Sequence, residues 1–265
     1  MELELIVQEK KDRKIIALAK RLFVDVCAGA AAGFLVAPFI AIIDRAIMEN
    51  ASGRNTLGSS IKAGIISCLK KPHQFICSRQ FYLVYMVYSS TYITVNKVDT
   101  LSNHHNVDNQ LPKFFGASIA NMASCFYKDM HFTRMFGIIA PRPLPKATYG
   151  FFATRDTTTM AASFNMPDVL GSNFYEKGWI ADRERAMNLA QLVSPALIQF
   201  VSTPLHLLGL DLYNRQNAGI GSRANLLMQK YSKTTLARIV RIAPAFGIGG
   251  VANRVFKQKI GQAIS

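Results

Sequence analysis

The chain has 265 residues, 50% hydrophobic and 18% charged, with 31 Lys and Arg against 16 Asp and Glu and a net charge of +15. It carries too little charge for an ordinary basic soluble domain (about 25% charged) and too much for a bundle filled with apolar side chains alone. The basic residues are scattered, many in or beside apolar runs, with one dense run at Glu9–Lys14 (EKKDRK). That distribution argues for an anionic lipid surface or an anionic solute as partner, and against nucleic acid.

Residues 1–14 read as a polar, amphipathic lead-in. No signal peptide is visible, and Glu2 and Glu4 do not suit an acid-poor presequence, so any organellar address is expected to be internal. A first helix is predicted over Lys20–Met48, around the apolar run Leu22–Ile43. Its length matches the ~20 residues that cross a bilayer core. Gly29 and Gly33 form a small-xxx-small pair that predicts close approach of another helix, and Pro38 predicts a kink. After a turn at Asn50–Asn55, apolar residues at Leu57, Ile61, Ile65 and Leu69 predict a short surface helix, ended by Lys70-Lys71-Pro72.

A second long helix is predicted over His73–Asn96, with Tyr85, Tyr88 and Tyr92 on one face, and a polar loop over residues 98–110. The third helix starts at Pro112, where Ser118, Asn121, Cys125 and Lys128 form a polar stripe on an apolar background. Such a stripe suits a face that meets water or polar partners inside a bundle. The fourth runs from Thr148 to Asn165 and carries Arg155-Asp156, followed by a loop over residues 166–184. The fifth spans Glu184–Gln216 with Pro195 and Pro204; a short surface helix over Arg223–Lys230 precedes the sixth, Thr234–Lys259. The fold expected is all-α and membrane-embedded: six transmembrane helices in three pseudo-repeats (15–98, 111–167 and 184–262) forming one domain over 1–265, with short surface helices.

Three apolar stretches, Leu22–Ile43, Phe114–Phe126 and Leu189–Leu210, each run into acidic and basic residues, at intervals of roughly 85 residues. The acid–base sets are Asp44 with Arg45, Asp129 with Arg134, and Asp211 with Arg215. Asp211 and Arg215 are four apart and could pair within one helix, whereas Asp44 and Arg45 are adjacent, so each would need a partner on another helix. Asp25, inside an apolar run, must pair or face water.

This layout resembles the mitochondrial carrier family, whose signature is Pro-x-acid-x-x-base at the end of each odd helix. Pro38 is present, but Asp44 and Arg45 fall late; Tyr127 replaces the second proline, Asp129 holds the acid position and Arg134 comes two residues late. The third repeat reads Pro204-Leu-His206-Leu-Leu-Gly209, with Asp211 and Arg215 displaced. The stretches Arg79–Asn96, Tyr149–Pro167 and Arg238–Lys257 are similar to a divergent fungal branch with citrate and tricarboxylate carrier-like members. The resemblance implies a threefold pseudo-symmetric barrel around a central cavity, monomeric, in the inner mitochondrial membrane among lipids such as cardiolipin. It also implies a site exposed alternately to the two sides and a gate made by Asp44, Arg45, Asp129, Arg134, Asp211 and Arg215.

A guanidinium clamps a carboxylate through two parallel hydrogen bonds. Arg79, Arg155 and Arg241 on the even helices, with Lys128 and Arg238, are therefore the candidate contacts to a small anionic solute, against the alternatives of snorkelling to headgroups or pairing inside the bundle. Gln191, Thr159, Ser202 and Asn121 could hydrogen-bond a solute or a neighbouring helix. His104-His105 beside Asp99 and Asp108 fits no closed zinc spacing, so neither metal nor cofactor is expected. No GxSxG, HExxH or GxxxxGK[ST] occurs, which argues against an enzyme. The expected function is exchange of citrate or a similar tricarboxylate across the inner mitochondrial membrane. A carrier of nucleotides or other phosphate-bearing anions, and a non-transporting membrane scaffold, are the alternatives.

Overall fold

A computed structural model describes residues 2–264, except the side chains of residues 2–7, 10, 11, 164 and 246. The side chains of Glu2, Glu4, Lys10 and Lys11, used in reading the N-terminus, thus lie outside the described residues. Ten α-helices follow one another among the described residues: α1 (Glu2–Ser52), α2 (Leu57–Lys70), α3 (Pro72–Ile76), α4 (Arg79–His105), α5 (Gln110–Phe136), α6 (Lys146–Glu176), α7 (Arg183–Leu197), α8 (Gln199–Asn214), α9 (Ile220–Val240) and α10 (Gly250–Ile264). A π-helical segment, Ala243–Gly249, joins the last two. No strand occurs among the described residues.

Three stretches are long and apolar enough to cross a membrane: Asp12–Ser52, Arg183–Asn214 and Ile220–Ile264. They correspond to the first, fifth and sixth predicted spans. Helices α4, α5 and α6, where the other three were predicted, have 27 to 31 residues, enough for a bilayer core by length. Polar side chains dilute their apolar character, so the predicted set of six stands at three by composition.

Several boundaries differ from the sequence expectation. The polar lead-in joins α1 without a break. The predicted loop at 98–110 is helix as far as His105, where Asn106 takes φ +54° and Val107 N–H bonds Ser102 C=O at 3.0 Å. This is a left-handed cap, with Asn in the role that Gly53 and Gly178 fill after α1 and α6. Helix α6 runs through Pro167 into the predicted loop at 166–184. The short helix expected at Arg223–Lys230 is instead the first part of α9.

The chain divides into two compact units, with α1, α4 and α5 contributing to both. The first comprises Met1–Ala37, Tyr85–Ser124 and Ile248–Ser265. There a Cβ added to Gly29 or Gly33 would come within 2.7 Å of Ile93 or Ser89 backbone atoms, so these glycines let α1 and α4 touch. Gly249 similarly has no room for a side chain beside Tyr92 and Val36. Asn96 and Asn253 exchange amide hydrogen bonds of 2.8 Å in both directions, and Lys257 sits 2.9 Å from Asp25. Asp99 accepts from Lys113 and Asn109 at 2.7 Å each, and Asp108 accepts from Gln110 N–H at 3.1 Å.

The second unit comprises Pro38–Val84 and Cys125–Gly247. Within it α6 packs on α7 and α8, and α8 on α9. Helix α2 starts at Thr56, whose hydroxyl accepts from Ser59 N–H. Its buried face is Ser60 and Gly64, the latter against Ile42, while Ile65 and Leu69 are exposed. The second half of the apolar stripe that predicted α2 thus points outward, as suits a lipid interface, while Leu57 and Ile61 are half-buried.

Candidate functional site

Among apolar helices a buried charge persists only where it is paired. The second unit gathers such charges into one network. Asp44, at a position where α1 is otherwise lined by Ile40, Ala41 and Ile47, accepts from Lys128 of α5 and, at 2.7 Å, from Arg241 after α9. Lys128 also lies 2.9 Å from Asp129. Asp129 in turn accepts from Arg155 of α6 at 2.6 Å, and Arg155 reaches Asp156 Oδ1 through Nη2 at 2.6 Å. All but Asp156 and Arg241 are almost wholly buried. Lys128 and Arg155 further lie over the rings of Phe132 and Phe152, at 5.2 and 5.1 Å, which limits their contact with lipid or water.

His206 of α8 belongs to the same network. Arg155 Nη1 donates to its Nδ1 at 2.8 Å, and its ring stacks on Phe152. Because a guanidinium has no acceptor, Nδ1 must accept, and the imidazole is the neutral tautomer protonated on Nε2.

Arg238 stands apart chemically. It is buried, and among the described residues no carboxylate lies within ion-pair distance of it. Nε donates to Gln199 Oε1 at 2.8 Å and Nη2 to Ser202 Oγ at 3.2 Å. The helices place these groups at two backbone breaks. Pro195 lies in the last turn of α7, and Gln199, at the start of α8, turns its Nε2 onto the Pro195 carbonyl at 2.8 Å, satisfying a group that the break leaves open. Arg238 and Arg241 sit where α9 gives way to the π-helical segment. Broken helices deep in a bundle are a recurrent way to expose backbone and charge to a solute.

The other sequence candidates lie outside this network. Arg79 is exposed and meets His131 Nδ1 at 2.8 Å. Arg45 pairs with Glu49 on its own helix at 2.9 Å, not with another helix as expected, because Glu49 sits one turn on. Glu49, which sequence reasoning missed, also accepts from Ser60 and Asn55. Asp211 is held by Arg215 at 2.6 Å and by Arg223, a local corner of α8 and α9. Arg134 forms no ion pair among the described residues, and its Nε is buried without a hydrogen-bond partner. The six gate candidates thus fall into separate groups. In the polar stripe of α5, Asn121 Nδ2 donates to Thr91 at 3.2 Å, a helix–helix bond, while Lys128 enters the charge network. Thr159 bonds the Arg155 carbonyl on its own helix.

Residues 28–260 match the model of a family described as "Probable citrulline exporter". The chain belongs to this family. No curated protein matches it. The match overturns the resemblance to the mitochondrial carriers. The features that suggested carriers, apolar spans ending in charge and prolines within helices, arise wherever membrane helices pair charges and break to admit polar groups. The inner mitochondrial membrane came with that resemblance and has no support from the family match. Membership in an exporter family, together with the apolar helices, makes the chain a multi-pass membrane protein of a transporter family, which points away from catalysis.

Proposed function

We propose that the protein exports a citrulline-type solute, an amino acid zwitterion of zero net charge. The observation that carries this reading is the neutralisation of Arg155 and Arg241 by Asp129, Asp156 and Asp44. These arginines were the expected partners of a tricarboxylate, and their charge is already spent on aspartates. Taken with Arg238, which meets α8 at Ser202 one turn from His206, the network holds four cations (Lys128, Arg155, Arg238, Arg241) and three carboxylates (Asp44, Asp129, Asp156), an excess of one. One carboxylate can be matched there. Citrate would bring further negative charges without partners, each costing several kcal/mol to bury. The same count weighs against a nucleotide or another multivalent phosphate.

The groups are closed off from solvent, so a solute reaches them when the surrounding helices part. Alternation between two such states is the ordinary requirement of a carrier with one site. The test is efflux of labelled citrulline from liposomes reconstituted with the full chain. Saturable, protein-dependent efflux is expected; release no faster than from protein-free liposomes would overturn the reading and favour a scaffold.

A further inference from the structure

Resting on that reading, we infer that Arg238 and the Oδ2 oxygen of Asp156 bind the two ends of the amino acid head group, Arg238 its α-carboxylate and Asp156 its α-ammonium. Three observations converge on this assignment.

The first is donor capacity. A guanidinium carries five N–H donors. Arg238 uses one on Gln199 and one on Ser202, leaving three for an incoming carboxylate. Gln199 is itself fixed, its amide held by the Pro195 carbonyl and its oxygen shared by Arg238 and the Ser202 hydroxyl. Gln199 and Ser202 are positioning residues: they aim the fork without cancelling its charge.

The second is an unmatched acceptor. Both contacts of Arg155 to Asp156 fall on Oδ1. Oδ2 is buried and has no hydrogen-bond partner. An ammonium is the group that such an oxygen takes most strongly. Arg238 donates to Ser202, and Arg155 donates to His206 one turn further along the same face of α8 while also holding Asp156, so Arg238 and Asp156 belong to one neighbourhood of the bundle.

The third is the company they keep. The hydroxyls of Thr234 and Thr235, one turn before Arg238 on α9, and of Thr203, beside Ser202 on α8, are also buried without a partner. Buried polar atoms are almost always satisfied, and Thr234 and Thr235, four and three residues before Arg238, share its face of α9, where a polar ligand would complete them. Hydroxyls both donate and accept, which suits the carbonyl and N–H groups of a ureido side chain.

The assignment makes the site selective for zwitterions. The experiment measures binding to the purified full chain of citrulline, of other neutral α-amino acids, of an α-hydroxy acid lacking the ammonium, and of an amine lacking the carboxylate. Asp156→Asn should weaken the amino acid about 10- to 100-fold, the worth of a hydrogen bond to a charged group, while leaving the hydroxy acid as it was. Arg238→Gln should weaken the hydroxy acid and amino acid alike and spare the amine. Arg238→Lys, which keeps the charge and loses the fork, guards against a folding defect, as does a helical spectrum of wild-type strength for each variant. Equal losses for all ligands, or no loss, would overturn the pairing even if citrulline binds. If the wild type binds other neutral amino acids but not citrulline, the proposed function falls and the pairing is judged on those ligands. If it binds no amino acid, both fall.

Discussion

At the scale of residues, the buried charges bear first on stability. Lys128 lies between Asp44 and Asp129 and is almost fully buried. Lys128→Met would leave two aspartates facing each other with one fewer cation. A loss of about 3–5 kcal/mol is expected, the cost of breaking a buried pair from one side, and chemical unfolding in detergent measures it. Arg79→Ala should change unfolding by less than ~0.5 kcal/mol, because an exposed contact contributes little; a large loss would place Arg79 in the machinery after all. Sequence reading singled out Lys128, Arg155, Arg238 and Arg241 because cations in apolar surroundings need a reason. It could not assign their partners. Asp44 meets Arg241 across 197 positions and Lys128 across 84, and no local spacing encodes such pairings.

At the scale of elements, helix contacts and helix breaks do separate work. The contact of α1 with α4 is built on Gly29 and Gly33 and was legible, since small residues four apart have few other uses in an apolar run. Gly33→Leu should cost about 1–3 kcal/mol by overpacking, read as a lower melting temperature. Gly150→Ala, at a site of α6 with nothing within 4 Å, should be neutral or stabilising by up to ~1 kcal/mol. Equal effects from both substitutions would contradict the packing described. The breaks were harder to read. Pro38, Pro167 and Pro204 lie inside continuous helices, whereas Pro195 falls in the last turn of α7 and Pro244 in the π-helical segment. Proline removes the same donor in each case; after Pro195 the helix breaks three residues on, at Ile198, where Gln199 Nε2 takes up the Pro195 carbonyl.

At the scale of the whole molecule, membrane residence was plain from the long apolar runs, whereas transport was expected through a resemblance to the wrong family and is supported by the exporter family match. The family was not legible, because degenerate proline-and-charge signatures are shared by unrelated membrane bundles. The proposed solute rests on the family match together with a charge count: cations already neutralised leave an excess of one positive charge, too little for a tricarboxylate. The most direct measurement is a competition between solutes in the same vesicles. Liposomes holding the full chain are loaded with equal amounts of labelled citrulline and labelled citrate, and the release of each is followed. The account predicts saturable release of citrulline with citrate at the protein-free rate; citrate leaving through the protein while citrulline stays behind would contradict it.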